Sequence, residues 1–433
     1  MKRAYIINTV CIRRTLDSTR IYNYLMENGW TFTNSISAAD LIVISSCGAI
    51  KKNEELSLTA ISSITERKSD SAKVIITGCL PIINPDKLRE FGDVEFVPTR
   101  ELDRFDEVLR STTIMKDIPD ANLIAEEFVD YMLTYRLFRN QYSRSFKIYT
   151  RLSTNKTFLK ICVRGSDSVN LVLSKLGLAS RQKIEPYYNI RIASGCAFAC
   201  SFCAIKLASG RINSKPIDEI LEEFKSGLRA GHKVFQFVCE DTGSYGLDIG
   251  TTFPELLKRV LEIKGEYQII IIDFGGYWFV KYYDKLLPLF VNHPDKIREI
   301  YVSVQSGSNK ILKAMKRPDK SEEVVARLKD IKENVPQLNL RTTVMVGFPG
   351  ETEDDLQKTI QALKEINVSE VQINKYEDRP GTVSSQMQDK VSQDVIDRRY
   401  EEIKRSLQFR TRWGNWGVGR RDLLLQKNGA SKD

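Results

Sequence analysis

Three cysteines share one short run, Ser194-Gly195-Cys196-Ala197-Phe198-Ala199-Cys200-Ser201-Phe202-Cys203, with the spacing C-x3-C-x2-C. Three thiolates this close can grip three corners of a cubane iron–sulfur cluster from a single loop, leaving the fourth iron without a protein ligand. Such an iron can chelate a small molecule through nitrogen and oxygen donors while the cluster feeds it an electron. Small residues at Gly195, Ala197 and Ala199 let the backbone wrap closely, and Phe202 can offer its face to a flat heterocycle. A zinc knuckle would need a fourth Cys or His at matching spacing, which the run lacks.

Cys11, Cys47 and Cys79 are far apart in sequence but share a context, since each closely follows a strand-like run: Tyr5-Ile6-Ile7-Asn8, Leu41-Ile42-Val43-Ile44 and Val74-Ile75-Ile76-Thr77. In an open parallel sheet the loops after the carboxyl ends of neighbouring strands meet at one edge. The pattern therefore predicts three thiolates converging on a second cluster, also with one open iron, against the alternative of chance placement. Cys162 lies in an alternating run and reads as an ordinary buried thiol, and Cys239 ends a strand beside Glu240 as a lining residue that is not a ligand. The only histidines are His232 and His293, so zinc sites and His-based acid–base chemistry have little support, and thiolate ligation leads.

The elements that must position these residues are written in two β/α stretches. Ala4 to Asn8, Ser18 to Asn28, Leu41 to Ser45, Asn53 to Glu66 and Lys73 to Thr77 alternate strand and helix patterns, the signature of βαβ units and a parallel sheet. The rhythm returns between Pro186 and Asp397, with strands expected at Val234 to Val238, Gln268 to Ile272, Glu299 to Val304, Asn339 to Val346 and Glu370 to Asn374. Helices are expected between them, as at Ile217 to Ala230 and Thr352 to Glu365, and this fits a partial (β/α) barrel.

The chain has 433 residues, 42% apolar, enough for two or three cores. No apolar run reaches the roughly 18 to 20 residues that span a bilayer, so no membrane partner and a cytoplasmic address are expected, where clustered thiols bind metal or do redox chemistry. The net charge of +9 is uneven. From Tyr131 to Arg164 there are eight Lys or Arg, no acidic residue and interleaved rings, which suits nucleic acid, an acidic peptide or simply a solvated hairpin.

At this point the residues resemble the radical S-adenosylmethionine enzymes, whose hallmark is C-x3-C-x2-C with an aromatic before the last Cys. Further motifs are similar in order and spacing to the methylthiotransferases: Gly210-Arg211 with Ser214-Lys215-Pro216, Glu240-Asp241-Thr242-Gly243-Ser244-Tyr245-Gly246, Gln305-Ser306-Gly307-Ser308, Gly347-Phe348-Pro349-Gly350-Glu351-Thr352 and Arg379-Pro380-Gly381-Thr382. Glu240 to Gly250 is most similar to the archaeal and eukaryotic transfer-RNA branch, which methylthiolates threonylcarbamoyl-adenosine. The resemblance covers about 1–110 and 186–405.

The resemblance implies an α/β fold: an N-terminal doubly wound parallel-sheet domain at 1–111, an inserted basic and aromatic segment at 112–185, a partial (β/α)6 TIM-type radical S-adenosylmethionine barrel at 186–405, and a basic tail at 406–433. It implies S-adenosylmethionine and two [4Fe-4S] clusters, with Cys196, Cys200 and Cys203 on the catalytic cluster and Cys11, Cys47 and Cys79 on the auxiliary one. Glu240 and Asp241 would bind the methionyl amino group, Ser303 and Gln305 would approach ribose or substrate, and Gly347 and Pro349 would give backbone contacts to adenine. A strand-end cap or turn is the alternative for each of these.

Departures lie on the substrate side. The resemblance implies a small β-barrel after the radical domain that grips the macromolecule, and no such barrel is expected within 406–433. Thr343 stands where an acidic residue is usual, and Asp273 to Trp278 lacks the usual proline pattern. The expectation is insertion of sulfur or a methylthio group at an unactivated carbon of a peptide or protein, with an external electron donor. Transfer-RNA methylthiolation, other radical chemistry using the auxiliary cluster for electron transfer, and a non-catalytic iron–sulfur scaffold are the alternatives. The sequence is silent on oligomeric state.

Overall fold

The computed structural model describes residues 2–8, 11–125, 128, 187–366 and 368–407. The basic, aromatic window from Tyr131 to Arg164, Cys162 within it, and the tail from 408 lie outside the described residues. The chain divides into two compact units, one within Met1–Pro186 and one within Tyr187–Asn415.

The first unit is a five-stranded sheet of β1 (Arg3–Asn8), β2 (Thr31–Phe32), β3 (Leu41–Ser46), β4 (Lys73–Gly78) and β5 (Glu95–Pro98). Every pairing is parallel, in the order β2-β1-β3-β4-β5. Successive residues of a strand point to opposite faces. Ala4, Ile6, Leu41, Val43 and Ile75 accordingly pack against Ile21, Tyr24 and Leu25 of helix α1 (Ile12–Glu27). Tyr5, Ile7, Ile42, Ile44, Val74 and Ile76 pack against Ile61 and Ile64 of helix α2 (Lys51–Thr65) on the other face. Burial on both faces is why these strands read as unbroken apolar runs.

Helix α1 begins at Ile12, well before the expected Ser18. Arg13, Arg14 and Asp17 hide its pattern, yet all three are buried. Asp17 Oδ2 takes Arg14 Nη1 at 2.5 Å and the Thr99 hydroxyl at 2.8 Å, a tertiary network that no helical periodicity announces. Sulfur-bearing Cys11 therefore sits at the very start of the helix.

The second unit holds six parallel strands in the order β13-β12-β11-β10-β9-β6: β6 (Tyr188–Arg191), β9 (Val234–Val238), β10 (Gln268–Gly275), β11 (Ile297–Gln305), β12 (Asn339–Val346) and β13 (Glu370–Lys375). Between β6 and β9 a short antiparallel ribbon pairs β7 (Ala193–Ser194) with β8 (Asn213–Ser214). The strands from β9 onward lie where expected; the short β5 and β6 carried no readable pattern. Helices α3 (Leu80–Ile83) and α4 (Arg104–Leu109) belong to the first unit. The second carries α5 (Ile205–Ser209), α6 (Ile217–Arg229), α7 (Phe253–Leu261), α8 (Gly276–Asn292), α9 (Asn309–Ala314), α10 (Ser321–Asn334), α11 (Glu353–Ile366) and α12 (Gln393–Ser406).

Phe235, Phe237, Ile269, Ile271, Ile300, Val302, Leu340, Val344, Val371 and Ile373 join Phe224, Leu257, Phe279 and Leu328 from the helices in one apolar core. The intervening strand residues face the other way, and many are polar and mutually bonded. Gln236 meets Asn189 at 3.1 Å, and Tyr301, Gln372, Asn374 and Thr343 form a chain of hydrogen bonds at 2.8, 3.0 and 2.9 Å. Arg341 lies between Glu299 at 2.7 Å and Glu370 at 3.3 Å. Register shifts interrupt the pairing near the carboxyl ends of β10 and β11, where Asp273 and Gln305 take φ of 53° and 65°. Irregularities of this kind re-aim side chains beside functional sites.

Candidate functional site

The cysteine loop leaves β7 through Gly195, whose φ is +77° and whose missing Cβ would stand 2.0 Å from the Arg211 carbonyl oxygen. Only glycine fits there. The Gly195 N–H donates to Glu240 Oε2 at 2.9 Å, and the Ser209 hydroxyl donates to Glu240 Oε1 at 2.9 Å, so one carboxylate straps the loop to α5. The Cys196 N–H reaches the Gly210 carbonyl at 3.3 Å, and Lys206 Nζ bonds the Cys196 carbonyl. At the far end Ser201 donates through its N–H to Met315 O at 2.9 Å and through its hydroxyl to Ala314 O at 2.9 Å, while accepting from the Ser384 N–H at 2.8 Å. The loop is thus fixed to β9, α5 and the end of α9 at once.

Inside this frame Cys196 Sγ accepts the Phe198 N–H at 3.3 Å and stands 4.0 Å from Asp241 Oδ2. Burial raises the Cys196 thiol pKa, and the Asp241 charge raises it further. Burial also raises Cys200, against the pull of Arg317, whose Nη1 lies 3.8 Å from its sulfur. Asp241 is itself pushed up to about 6 by burial, opposed by the Gly275 N–H at 3.0 Å and by Arg317. Cys239 is fully buried, its thiol 3.8 Å from the Gly195 carbonyl, and burial raises its pKa well above the ordinary value. Among the described residues no three Cys, His, Asp or Glu side chains converge as a single metal ion would require. A cubane asks for something different, one soft thiolate on each of three separate irons, and three sulfurs spread along one clamped loop suit that donor set.

The other expected residues are placed unevenly. Phe202 is half-buried against Ile311, Met315, Phe348 and Tyr376, edge-on to Phe348 with ring centroids 6.4 Å apart. Glu240 spends one oxygen on the loop at Gly195 and the other on Ser209 of α5, whereas Asp241 turns toward Cys196. The Ser303 carbonyl faces Arg317 Nη2 at 3.5 Å, and Gln305 Oε1 is buried with no hydrogen-bond partner. The Gly347 N–H is taken by Glu351 Oε2 at 2.7 Å, which in turn pairs with Arg399 at 2.9 Å; Pro349 is buried in the same turn. Sequence reasoning missed Arg317 and Asp319 altogether. Their only signal was a charged Arg-Pro-Asp step following a helix, at no fixed spacing from any cysteine.

In the first unit, Cys11, Cys47 and Cys79 follow β1, β3 and β4, which are adjacent in the sheet with Asn8 opposite Ser45 and Ser46 opposite Gly78. The strand order reverses at β1 and β3, the switch point where open α/β sheets bind ligands. Gly78, at φ +99°, brings β4 so close to β3 that a Cβ would meet Ser46 O at 2.2 Å, and the Cys79 N–H then bonds that same oxygen at 3.0 Å. The Cys47 N–H donates to the Ser57 hydroxyl oxygen at 2.9 Å, and the Asn53 amide donates to the Cys47 sulfur at 3.8 Å. Burial pushes Cys47 up to about 11, with the neighbouring Cys11 sulfur adding to the rise.

Two family models match these two units: residues 190–363 the radical SAM superfamily, and residues 3–97 the uncharacterized protein family UPF0004. The ribosomal protein uS12 methylthiotransferase RimO of Psychrobacter arcticus is 30% identical, over 91% of this chain and 67% of that protein. The chain belongs to the radical S-adenosylmethionine methylthiotransferase family. It is an enzyme that transfers a methylthio group, using S-adenosylmethionine and two [4Fe-4S] clusters. A probable threonylcarbamoyladenosine tRNA methylthiotransferase of Pyrococcus horikoshii is 28% identical over 89% of this chain and 79% of its own length. Among solved structures, the radical S-adenosylmethionine methyltransferase TsrM of Kitasatospora setae, with cobalamin and a [4Fe-4S] cluster bound, shares the fold at a TM-score of 0.57 and 11% identity, over 89% of this chain and 74% of that one. Among the described residues no helix is long and apolar enough to cross a membrane.

Proposed function

We propose that Cys196, Cys200 and Cys203 hold the cluster that binds S-adenosylmethionine, that Cys11, Cys47 and Cys79 hold the auxiliary cluster, and that the group modified belongs to a protein or peptide. The observation that carries the first assignment is the single clamped loop on which Cys196 and Cys200 face Asp241 and Arg317. The bound cofactors supply the deoxyadenosyl radical and the sulfur chemistry. The chain's own residues bind and orient. Asp241, buried and turned toward Cys196, is the carboxylate suited to the methionyl amino group, because Glu240 is committed to the loop. Gln305 Oε1 offers a buried acceptor without a partner, which suits a ribose or substrate donor. Ser303 lies beside Gln305 on the same strand, and the turn at Gly347 and Pro349 supplies the apolar wall toward adenine with Phe202 and Phe348.

In this reading residues 1–111 carry the auxiliary cluster, 186–405 the radical chemistry, and 112–185 the contacts to the macromolecule. A peptide is favoured by the inward-facing ladder of Tyr301, Gln372, Asn374 and Thr343, whose amides and hydroxyls match peptide groups. Arg341 next to it is already neutralised by Glu299 and Glu370 and has no charge to spare for phosphate. Transfer RNA is the second reading, favoured by the basic, ring-bearing stretch from Tyr131 to Arg164 and by the Pyrococcus relative. Both readings place the enzyme in the reducing cytoplasm and require an external electron donor.

The test is anaerobic reconstitution with iron and sulfide, followed by S-adenosylmethionine and a strong reductant. Deoxyadenosine should form, and Cys200→Ala should reduce it to background. Deoxyadenosine formation that survives Cys200→Ala would sink the assignment.

A further inference from the structure

Arg317 is a buried cation with an unusual set of neighbours. Helix α9 ends with Lys316 at φ +56° and with the Arg317 N–H on the Leu312 carbonyl at 2.9 Å, and this turn sends the guanidinium inward. Its side chain is 5% exposed. Nε bonds Asp319 Oδ2 at 2.6 Å, Nη2 faces the Ser303 carbonyl at 3.5 Å, and Nη1 faces Cys200 Sγ at 3.8 Å. The guanidinium also lies 5.5 Å from the centre of the Phe198 ring in the cysteine loop. The same helix end accepts both Ser201 hydrogen bonds, so arginine and loop share one rigid mount.

An ion pair this deep is a poor way to gain stability, since two apolar side chains of the same volume usually serve as well or better. The second oxygen of Asp319 makes this sharper, because Oδ1 is buried with no hydrogen-bond partner at all. What the pair does provide is a fixed positive charge aimed at one sulfur. We infer that Arg317 is a positioning residue for the radical cluster: its N–H donates to the Cys200 thiolate and its charge makes the cluster easier to reduce, while Asp319 limits that effect. The inference rests on the assignment of Cys200 as a cluster ligand. Reduction moves one electron from the external one-electron reductant onto the cluster, adding one negative charge with no bond made or broken. A cation in a medium of low dielectric constant favours that more negative state.

The experiment is a redox titration of the reconstituted cluster followed by electron paramagnetic resonance. It uses Cys11→Ala/Cys47→Ala/Cys79→Ala protein, so that only the radical cluster is observed. Arg317→Met should leave the iron content unchanged and lower the reduced-to-oxidised ratio at a fixed potential by at least tenfold, a shift of about 59 mV for one electron. Asp319→Asn, which removes the opposing charge with almost no change of shape, should move the potential the other way. Arg317→Lys keeps a charge and similar packing, and is the variant to read should Arg317→Met lose its cluster; it should stay closer to the parent than a tenfold change. An unchanged potential in Arg317→Met or in Asp319→Asn, shifts of the same sign in those two variants, or a change of tenfold or more in Arg317→Lys would overturn the inference. Loss of the signal in Cys200→Ala is the separate check on the ligand itself.

Discussion

A thiol at position 47 and a thiol at position 200 are chemically the same group, and what distinguishes them is the surroundings each inherits. Cys200 stands beside a cation and Cys47 beside another sulfur and an amide. Their losses should therefore differ in kind. Cys47→Ala is expected to halve the iron content after reconstitution while deoxyadenosine is still formed, and to abolish methylthiolated product. Iron analysis and product mass spectrometry on one sample check both. An alanine variant that still methylthiolates would remove Cys47 from the auxiliary set. Cysteine type and spacing were readable in the chain; the arginine beside Cys200 was not, because a lone charge after a helix is ordinarily a solvated one.

At the level of elements, each of the two proposed cysteine sets lies beside a close approach of backbone that only glycine permits. Gly195→Ala must accommodate a Cβ 2.0 Å from the Arg211 carbonyl as well as a positive φ, which alone costs about 1–2 kcal/mol. It should empty the cluster on Cys196, Cys200 and Cys203 and leave the first unit folded with its own. Gly78→Ala, with a Cβ 2.2 Å from Ser46 O, should do the reverse. Iron content and cluster-specific spectra of the two variants separate these outcomes; loss of both clusters in either variant would mean that the strain spreads beyond the local element. Strand identity was legible because two-sided burial writes long apolar runs, and α1 was misjudged because Arg13, Arg14 and Asp17 are buried, the last two bonded to Thr99 far along the chain.

On the scale of the whole molecule the open question is the class of substrate, and salt decides between the two. An RNA complex with 6–10 phosphate contacts loses roughly a thousand- to a hundred-thousandfold in affinity between about 50 and 200 mM salt, by counterion release. The peptide reading predicts substrate binding that changes far less over the same range, and calorimetric titration at the two concentrations measures it; a steep loss would restore transfer RNA. What the sequence by itself determined was whatever is fixed by covalent neighbourhood or by periodicity: three thiolates within one loop, apolar strands with helices between them, and hence two α/β units and soft-metal chemistry. The tertiary structure alone decided which distant residues meet. Parallel register sets the ends of β1, β3 and β4, after which Cys11, Cys47 and Cys79 follow, side by side across a switch in strand order. Packing diverts Glu240 to the loop, leaves Asp241 facing Cys196 and turns Arg317 toward Cys200. Such distances depend on which faces bury against each other, and that is a property of the folded chain, with no fixed spacing along the sequence to record it.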